Sequence, residues 1–431
     1  MRRLLFVGTP FGAFFGELAS ELERNGSRVW RVTFNGGDFV ATPRRNRIVF
    51  SNPEDGFAKF IEETLIRLNI DGVVTFNDCL PHEQKTQEMA RKLGLRRYVL
   101  ENGYLRPYWV TFDRNGVNGH SALPRNIEFY RAAQAPPVPH VEFPFTLRSL
   151  VATTTRHFTN AVLLAPVLGF NPQYYGDSVW TQAKGYIVEL LRRRSHPEKL
   201  ALQRLAQLTQ EGNPAFLCLL QKPGDAQLVQ HSQYGGNLQY LKEVIASFAR
   251  HAAADAVLLV KQHPLDYGSE NCGLFVQDLA RQLDLGSRII FIRDTSIDIV
   301  YPFVRAVVTV NSTGGFASLI KGKPVKCMGN AFYDMAGLTH VGPLDGFWRD
   351  PVSPEAHDVE AFVNYLKNTS QFNGGFETAA ARKLLIPLIA QALVEDSLAH
   401  YAAPKVQAPV ADEALLAKTT LHKAAGSPST H

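Results

Sequence analysis

The sequence predicts an α/β protein in which two Rossmann-like domains face each other across a cleft. Short apolar runs alternate with stretches of helical periodicity, the rhythm of parallel, doubly wound sheets. These runs end in polar tips, and in such sheets ligands bind outside the carboxyl ends of the strands. A proline-rich break between residues 105 and 175 separates two series of runs. The chain therefore divides into an N-terminal domain over 1–190 and a C-terminal domain with closing helices over 191–400. A tail over 401–431, rich in Ala, Pro, Lys and Ser, is expected to be disordered.

The first series opens with a strand over 4–7. The loop Gly8-Thr9-Pro10-Phe11-Gly12-Ala13 then leads into a helix to about Arg24. Its two glycines suggest close approach of a ligand, with Gly12 as a contact, although the spacing is not the dinucleotide fingerprint. A second strand over 29–34 ends in Asn35-Gly36-Gly37-Asp38. Phe57, Phe60, Ile61, Leu65 and Leu68 recur at helical spacing, which predicts a helix over 56–69. Strands follow over 72–76, with Asn77-Asp78 at its carboxyl end, and over 96–100, ending in Glu101-Asn102-Gly103-Tyr104. Pro107, Pro124, Pro136, Pro137, Pro139 and Pro144 argue against regular structure in the break. That segment is expected to cover the cleft or carry acceptor specificity. Helices over 173–194 and 197–210 bridge to the second series, whose strands fall at 215–220, 256–260, 288–292, 306–310 and 324–328. Helices over 354–368 and 378–399 close the fold.

Two loops of the second series carry the strongest chemical signal. Lys261-Gln262-His263-Pro264-Leu265-Asp266 follows one apolar strand, and Asn311-Ser312-Thr313-Gly314-Gly315 joins another to an apolar helix. Small and hydroxyl residues opening a helix present backbone N–H groups and the positive end of the dipole to an anion. Together the loops suit a phosphorylated ligand; the plain alternative is a histidine that caps a strand end. Asp78, Glu101 and His263 fall where the cleft would collect them. Carboxylates serve a glycosyl transition state as acid/base or as nucleophile, while Asp78 or Glu101 could equally cap a helix or pair with Arg106. His82, one helical turn past Asp78, is placed to orient it. His231-Ser232 precede a Gly235-Gly236 turn and are candidate substrate contacts, whereas His120 and His251 read as satisfied polar residues.

Composition narrows the classes. A net charge of +5 favours anionic partners. None of the basic clusters, Arg2-Arg3, Arg44-Arg45, Arg96-Arg97 and Arg192-Arg193-Arg194, interleaves with aromatics as a nucleic-acid groove does, so no nucleic acid is expected. They read as solvated helix faces, or, for Arg192–Arg194, as a contact with anionic lipid. The four cysteines show no metal-ligand spacing and read as buried free thiols. No run approaches the roughly 20 apolar residues of a membrane helix, and the apolar start is too short for a signal peptide. The expectation is a cytoplasmic protein, soluble or peripheral. Two facing α/β domains with phosphate loops in the second describe a two-domain, GT-B-like glycosyltransferase. No Asp-x-Asp pair marks a divalent-metal clamp, which fits a metal-independent enzyme with a one-phosphate donor such as a CMP-activated sugar.

The sequence resembles the KpsS/LipB family of capsule polysaccharide proteins, single-module relatives of the KpsC-type β-Kdo transferases. The matching stretches run in order over roughly residues 4–375. They are Phe34-Asn35-Gly36-Gly37-Asp38, Asn77-Asp78-Cys79 with His82, and Glu101-Asn102-Gly103-Tyr104-Leu105-Arg106-Pro107. Gly116-Val117-Asn118-Gly119 with Ser121 and Leu123-Pro124 follow, then His231-Ser232 and Lys261-Gln262-His263-Pro264-Leu265-Asp266. Asn311-Ser312-Thr313-Gly314 and Gly337-Leu338-Thr339 with Phe347-Trp348 complete the set. The resemblance implies a retaining transfer of Kdo from CMP-Kdo, with no further cofactor, to a (lyso)phosphatidylglycerol acceptor. The site would be the inner face of the inner membrane of a Gram-negative cell, beside other capsule proteins of the KpsC type. The first domain would hold the acceptor and catalytic groups and the second the CMP-sugar. By this match His263 holds the CMP phosphate, with Lys261 and Pro264 around it, and Asn311, Ser312, Thr313 and Gly314 line the CMP site. Glu101 takes the first position of an acidic pair whose second is Asn102 here. Asp78 and Glu101 are the candidate nucleophiles, and Arg106 pairs either with the Kdo carboxylate or with Glu101. Readings beside this one are another CMP-sugar or glycan acceptor on the same fold, and a non-catalytic capsule assembly scaffold.

Overall fold

The structure, a computed structural model, describes residues 1–8, 12–51, 56–143, 147–168, 198–266, 268 and 270–398, with 184, 185, 187, 188 and 191 between them. The expected tail and most of the bridging helix over 173–194, with Arg192–Arg194 and the domain boundary, lie outside the described residues.

Twelve strands are described. Seven of them, β1 (Arg3–Val7), β2 (Arg28–Thr33), β3 (Arg47–Val49), β4 (Gly72–Phe76), β5 (Arg96–Asn102), β6 (Trp109–Arg114) and β12 (Gln371–Asn373), form one sheet. The other five, β7 (Ala215–Leu219), β8 (Val257–Lys261), β9 (Ile289–Ile292), β10 (Ala306–Thr309) and β11 (Val325–Cys327), form a second. In space the first reads β12-β6-β5-β4-β1-β2-β3 and the second β11-β10-β7-β8-β9. The second sheet is parallel throughout; in the first, β6 runs antiparallel to both its neighbours. Strand order reverses between β1 and β4 and again between β7 and β10. Those are the points where helices leave to opposite faces and a crevice opens at the carboxyl ends.

Both faces of each sheet are covered, so the strands are apolar on both sides. Along β1, Leu4 and Phe6 enter one core with Phe14, Leu18 and Leu22, while Leu5 and Val7 enter another with Phe57, Ile61 and Leu65. Along β7, Phe216 and Cys218 pack with Trp348 and Phe248, and Leu217 and Leu219 with Phe316 and Phe362. The last of these cores also takes in Tyr104, Trp109 and Tyr130 from the first half, so the two halves share apolar packing.

The strands expected from both series form, with ends shifted by one or two residues. The break is more regular than its prolines suggest. It holds β6, the helix Ile127–Ala133 capped by Asn126, and the 22-residue helix Leu147–Leu168. Pro107 and Pro124 precede elements rather than interrupt them, and Asn126 accepts the Glu128 N–H to start the helix after Pro124. Leu147–Leu168 lies against the short helix Gly36–Ala41, and no described residue of 127–168 lines the cleft. The expectation that this part of the break covers the cleft is corrected.

The end of the chain also departs from expectation. It does not stay with the second half to residue 400: β12 pairs with β6, and the helix Ala379–Glu395 packs on Phe14–Arg24. Its Leu385, Ile389 and Leu393 complete the core beside Phe14 and Phe112. Beyond it, Asp396 gathers Arg96, Tyr98 and Arg114. An apolar helix face must be buried somewhere, and here it helps cover the face of the first sheet that carries Leu4, Phe6 and Phe112. Phe372, fully buried edge-on to Phe112 at 5.5 Å between ring centroids, tests this. Phe372→Ala is expected to cost about 3–5 kcal/mol of stability in denaturant unfolding. Hydrogen exchange should then accelerate at Val110 and Thr111, whose strand β12 covers, before it does so in β7–β11.

Candidate functional site

The carboxyl ends of the two sheets enclose a cleft of about 530 Å³. From the first half come Asn77 after β4, Glu101 and Asn102 at the end of β5, and Tyr104, Arg106 and Asn118 beyond. From the second come Gln221–Gln227 after β7, His263 and Leu265 after β8, and Asn311, Ser312 and Thr313 after β10. The two strand-order reversals supply most of this wall, as the topology requires.

Glu101 sits at the floor. Burial raises its pKa to about 8, the nearby charges of Asp78 and Asp225 add to this, and Arg106 and a hydrogen bond from Gln227 oppose it. Gln227 Nε2 donates to Glu101 Oε2 at 3.2 Å. Asp225 caps the helix Ala226–Gln230 through the Gln227 N–H at 2.9 Å, and burial raises its pKa as well. Lys222 and Arg106 bring positive charge to the same cleft.

His263 is held as a neutral donor. Burial, then the charges of Arg106, Lys261 and Lys222, bring its pKa down to about 4. Its Nδ1 accepts the Leu265 N–H at 3.1 Å, so the ring proton is on Nε2. Ser312 caps the helix Thr313–Ile320, its Oγ accepting the Gly314 N–H at 3.1 Å. The Thr313 N–H and hydroxyl have no partner among the described residues and line the cleft. Two buried amide oxygens of the cleft, Gln221 Oε1 and Asn311 Oδ1, also have no donor among the described residues. The Asn311 amide is fixed in orientation because its Nδ2 donates to the Gln227 carbonyl at 2.9 Å.

Of the residues singled out in the sequence, the structure brings Glu101, Asn102, Arg106, His263, Asn311, Ser312 and Thr313 together around this cleft. Others go elsewhere. Asp78 is buried behind the wall, with the Val117 N–H at 3.0 Å, His120 Nδ1 at 3.2 Å and the Cys79 thiol at 3.2 Å on its carboxylate. Burial would raise its pKa, but His120, Val117 and Cys79 outweigh that and hold it below the usual range. His82 packs among Phe34, Phe50 and Phe57 instead of facing the cleft. His231 is buried against Cys79, and Ser232 is consumed by the Leu228 carbonyl and the Tyr234 N–H. Gly12 meets the helix Leu147–Leu168, where a Cβ would lie 2.9 Å from Thr153. Lys261 is buried with its ammonium on the Gln262 carbonyl, and acts on His263 by charge. Pro264 shapes the exposed turn, and the Gly314 N–H is taken by Ser312.

Sequence reasoning missed Gln221, Lys222, Asp225 and Gln227. The rule that found His263 applies equally to the polar stretch after β7, which also reads as a Pro-Gly turn with an aspartate helix cap. The thiol expectation holds: Cys79, Cys218, Cys272 and Cys327 are free and buried.

A family model described as "Capsule polysaccharide biosynthesis protein" matches residues 71–376. The chain belongs to this family. It is 31% identical over 382 residues to the capsule polysaccharide export protein KpsS of Escherichia coli, covering 86% of this chain and 96% of that one. The capsule polysaccharide modification protein LipB of Neisseria meningitidis serogroup B is 30% identical over 393 residues, covering 86% and 91%. Among solved structures, the β-Kdo 2,7 transferase of Thermosulfurimonas dismutans KpsC aligns over 92% of this chain and 99% of its own, with 17% identity and a TM-score of 0.43. Among the described residues of this capsule protein no helix is long and apolar enough to cross a membrane.

The raised pKa of Glu101 has a measurable consequence. A carboxyl shifted upward on folding holds extra protons in the folded state between its two values. Stability therefore falls as pH rises from about 4.5 to about 8. Glu101→Gln should remove this slope and gain on wild type across that interval, with no further gain above it. Denaturant midpoints at a series of pH values check this, and parallel curves for the two proteins would contradict it.

Proposed function

We propose that this capsule protein is a retaining β-Kdo transferase. It moves Kdo from CMP-Kdo to a (lyso)phosphatidylglycerol acceptor at the inner face of the inner membrane, starting a linker that KpsC-like partners extend. Family membership supports the capsule role, and the resemblance in motifs supports the sugar. The observation that carries the chemistry is the division of labour in the cleft. One half contributes a carboxylate with a raised pKa, and the other a neutral imidazole N–H and an open helix N-terminus.

Transfer breaks the bond between the anomeric carbon and the phosphate oxygen of the donor. Negative charge grows on the departing CMP phosphate, where His263 Nε2–H, the Thr313 N–H and hydroxyl, and Lys222 receive it. Preorganised donors of this kind act without reorganising during the reaction. Arg106 meets the sugar carboxylate. Glu101 acts ionised, as the nucleophile of a first displacement that releases CMP. The acceptor hydroxyl then displaces Glu101 from the anomeric carbon and loses its proton to solvent, and the two inversions give net retention. The unpartnered oxygens of Gln221 and Asn311 match amino and hydroxyl donors on a nucleotide sugar, and the cleft volume falls within the range of small-ligand pockets.

The test incubates purified protein with a fluorescent lysophosphatidylglycerol and CMP-Kdo generated in situ, and reads the lipid by mass spectrometry. A gain of one Kdo is expected. His263→Ala should lower turnover roughly 10²–10³-fold, and Glu101→Gln roughly 10²–10⁴-fold. In wild type, kcat/KM should rise with pH and level off above about 8. Gain of a different sugar, or gain on a glycan only, would replace the donor or the acceptor. Near wild-type turnover of His263→Ala would remove that residue from the mechanism.

A further inference from the structure

Behind the cleft wall, four side chains with metal-binding atoms converge. The ligand atoms of Asp78, Cys79, His120 and His231 all lie within 4.8 Å of one another. Cys79 Sγ is 3.2 Å from Asp78 Oδ1 and 3.3 Å from His231 Nε2, and His120 Nδ1 is 3.2 Å from Asp78 Oδ2. In a tetrahedral zinc site, with Zn–S near 2.3 Å and Zn–N or Zn–O near 2.0 Å, neighbouring ligand atoms are about 3.3–3.6 Å apart. With Asp78 binding through one of its two oxygens, two of the six edges are thus already close to that length, and all six lie within 4.8 Å. We propose that Asp78, Cys79, His120 and His231 form a zinc site that ties the two halves of the cleft together.

Ligand chemistry selects zinc. One thiolate, two imidazoles and one carboxylate form a mixed set that suits it and that magnesium or calcium, which take oxygen, would not choose. The charges also close. A divalent cation with one thiolate and one carboxylate is neutral, which removes the cost of burying either anion alone. On binding, the Cys79 thiol gives its proton to solvent as the sulfur–zinc bond forms, and both imidazoles bind as neutral rings.

The surroundings fit a built site. The Val117 N–H holds the Asp78 carboxylate at 3.0 Å, the kind of outer contact that orients a ligand. Gly119 leaves room for the His231 ring, since a Cβ there would lie 2.5 Å from its Nδ1. The His120 side chain is 49% exposed, which gives the ion a way in and leaves the ring free to swing onto it. Asp78, Cys79 and His120 belong to the first half and His231 to the second, at the end of the helix Ala226–Gln230 that helps wall the cleft. Zinc there would fix the distance between the halves. It would stand apart from the donor phosphate site, so the site does not replace the chemistry of His263 and Glu101.

The experiment uses the full chain, stripped with a chelator and offered zinc or cobalt alone, with no sugar or lipid present. Wild type should take up one zinc per chain by elemental mass spectrometry. The cobalt form should show thiolate-to-cobalt charge-transfer absorption. Hydrogen exchange should slow with zinc in both 116–120 and 226–231. Cys79→Ser should abolish the charge-transfer band, and His120→Ala, at an exposed position that circular dichroism can confirm as folded, should weaken zinc binding roughly 100-fold. Uptake well below one zinc per chain would overturn the proposal, as would equal zinc retention in both variants or slowing confined to one half. None of these readings depends on whether Kdo is transferred.

Discussion

The side chain of Gln227 holds the two halves of the cleft in register. It is 7% exposed, its Nε2 donates to Glu101, its Oε1 accepts from Asn118 at 3.1 Å, and its carbonyl accepts from Asn311. Asn118 in turn accepts the Phe332 N–H at 3.2 Å on its side-chain oxygen and donates its own N–H to the Tyr104 hydroxyl oxygen at 2.7 Å. Tyr104 stacks on Phe332 with ring centroids 3.6 Å apart. Each such bond adds only about 1 kcal/mol net, but leaving one of these buried groups unpaired costs as much or more. A sliding of one half against the other breaks several at once. The seam therefore fixes where Glu101 lies relative to the wall made by His263 and Thr313.

Charge is arranged around the same seam. Glu101 and Asp225 approach from opposite halves, and both are pushed toward the protonated state by burial, reinforced at Glu101 by its neighbour carboxylates. Arg106 and Lys222 offset them. His263 is driven the other way by burial and the same cations, and so stays neutral. An anion entering beside His263 meets donors and cations without first displacing a protein carboxylate from them. Ligand binding and the ionisation of Glu101 are thus coupled through shared positive charge, with no direct contact required.

Much of this was legible in the sequence because parallel strands are apolar on both faces and leave continuous runs. All five strands of the second sheet and the loops after β8 and β10 announce themselves this way. Two strands of the first sheet do not: Arg47–Val49 and Gln371–Asn373 carry polar residues in place of an apolar run, and the second is assigned only by a partner some 260 positions earlier. The helix Leu147–Leu168 was obscured by the prolines before it. Gln227 carries no local signal at all, since an amide on a short helix acquires its role only when Glu101 and Asn118 arrive from the other half.

The misplacement of Asp78 has a sharper cause. Strand β4 ends at Phe76, and Asn77 takes a left-handed conformation with φ +76°. Asparagine is among the few residues other than glycine that adopt it readily. Its side chain bends back so that Oδ1 accepts the Cys79 N–H at 2.5 Å. One residue in this conformation breaks the alternation of an extended chain. Asn77 consequently lines the cleft, while Asp78 and Cys79 turn behind it toward His120 and His231. A reading that extends strand geometry past Phe76 sends the carboxylate to the wrong side. The same turn makes the cleft wall and the four-residue cluster two faces of one loop, so anything that tightens the cluster also sets the position of Asn77 in that wall.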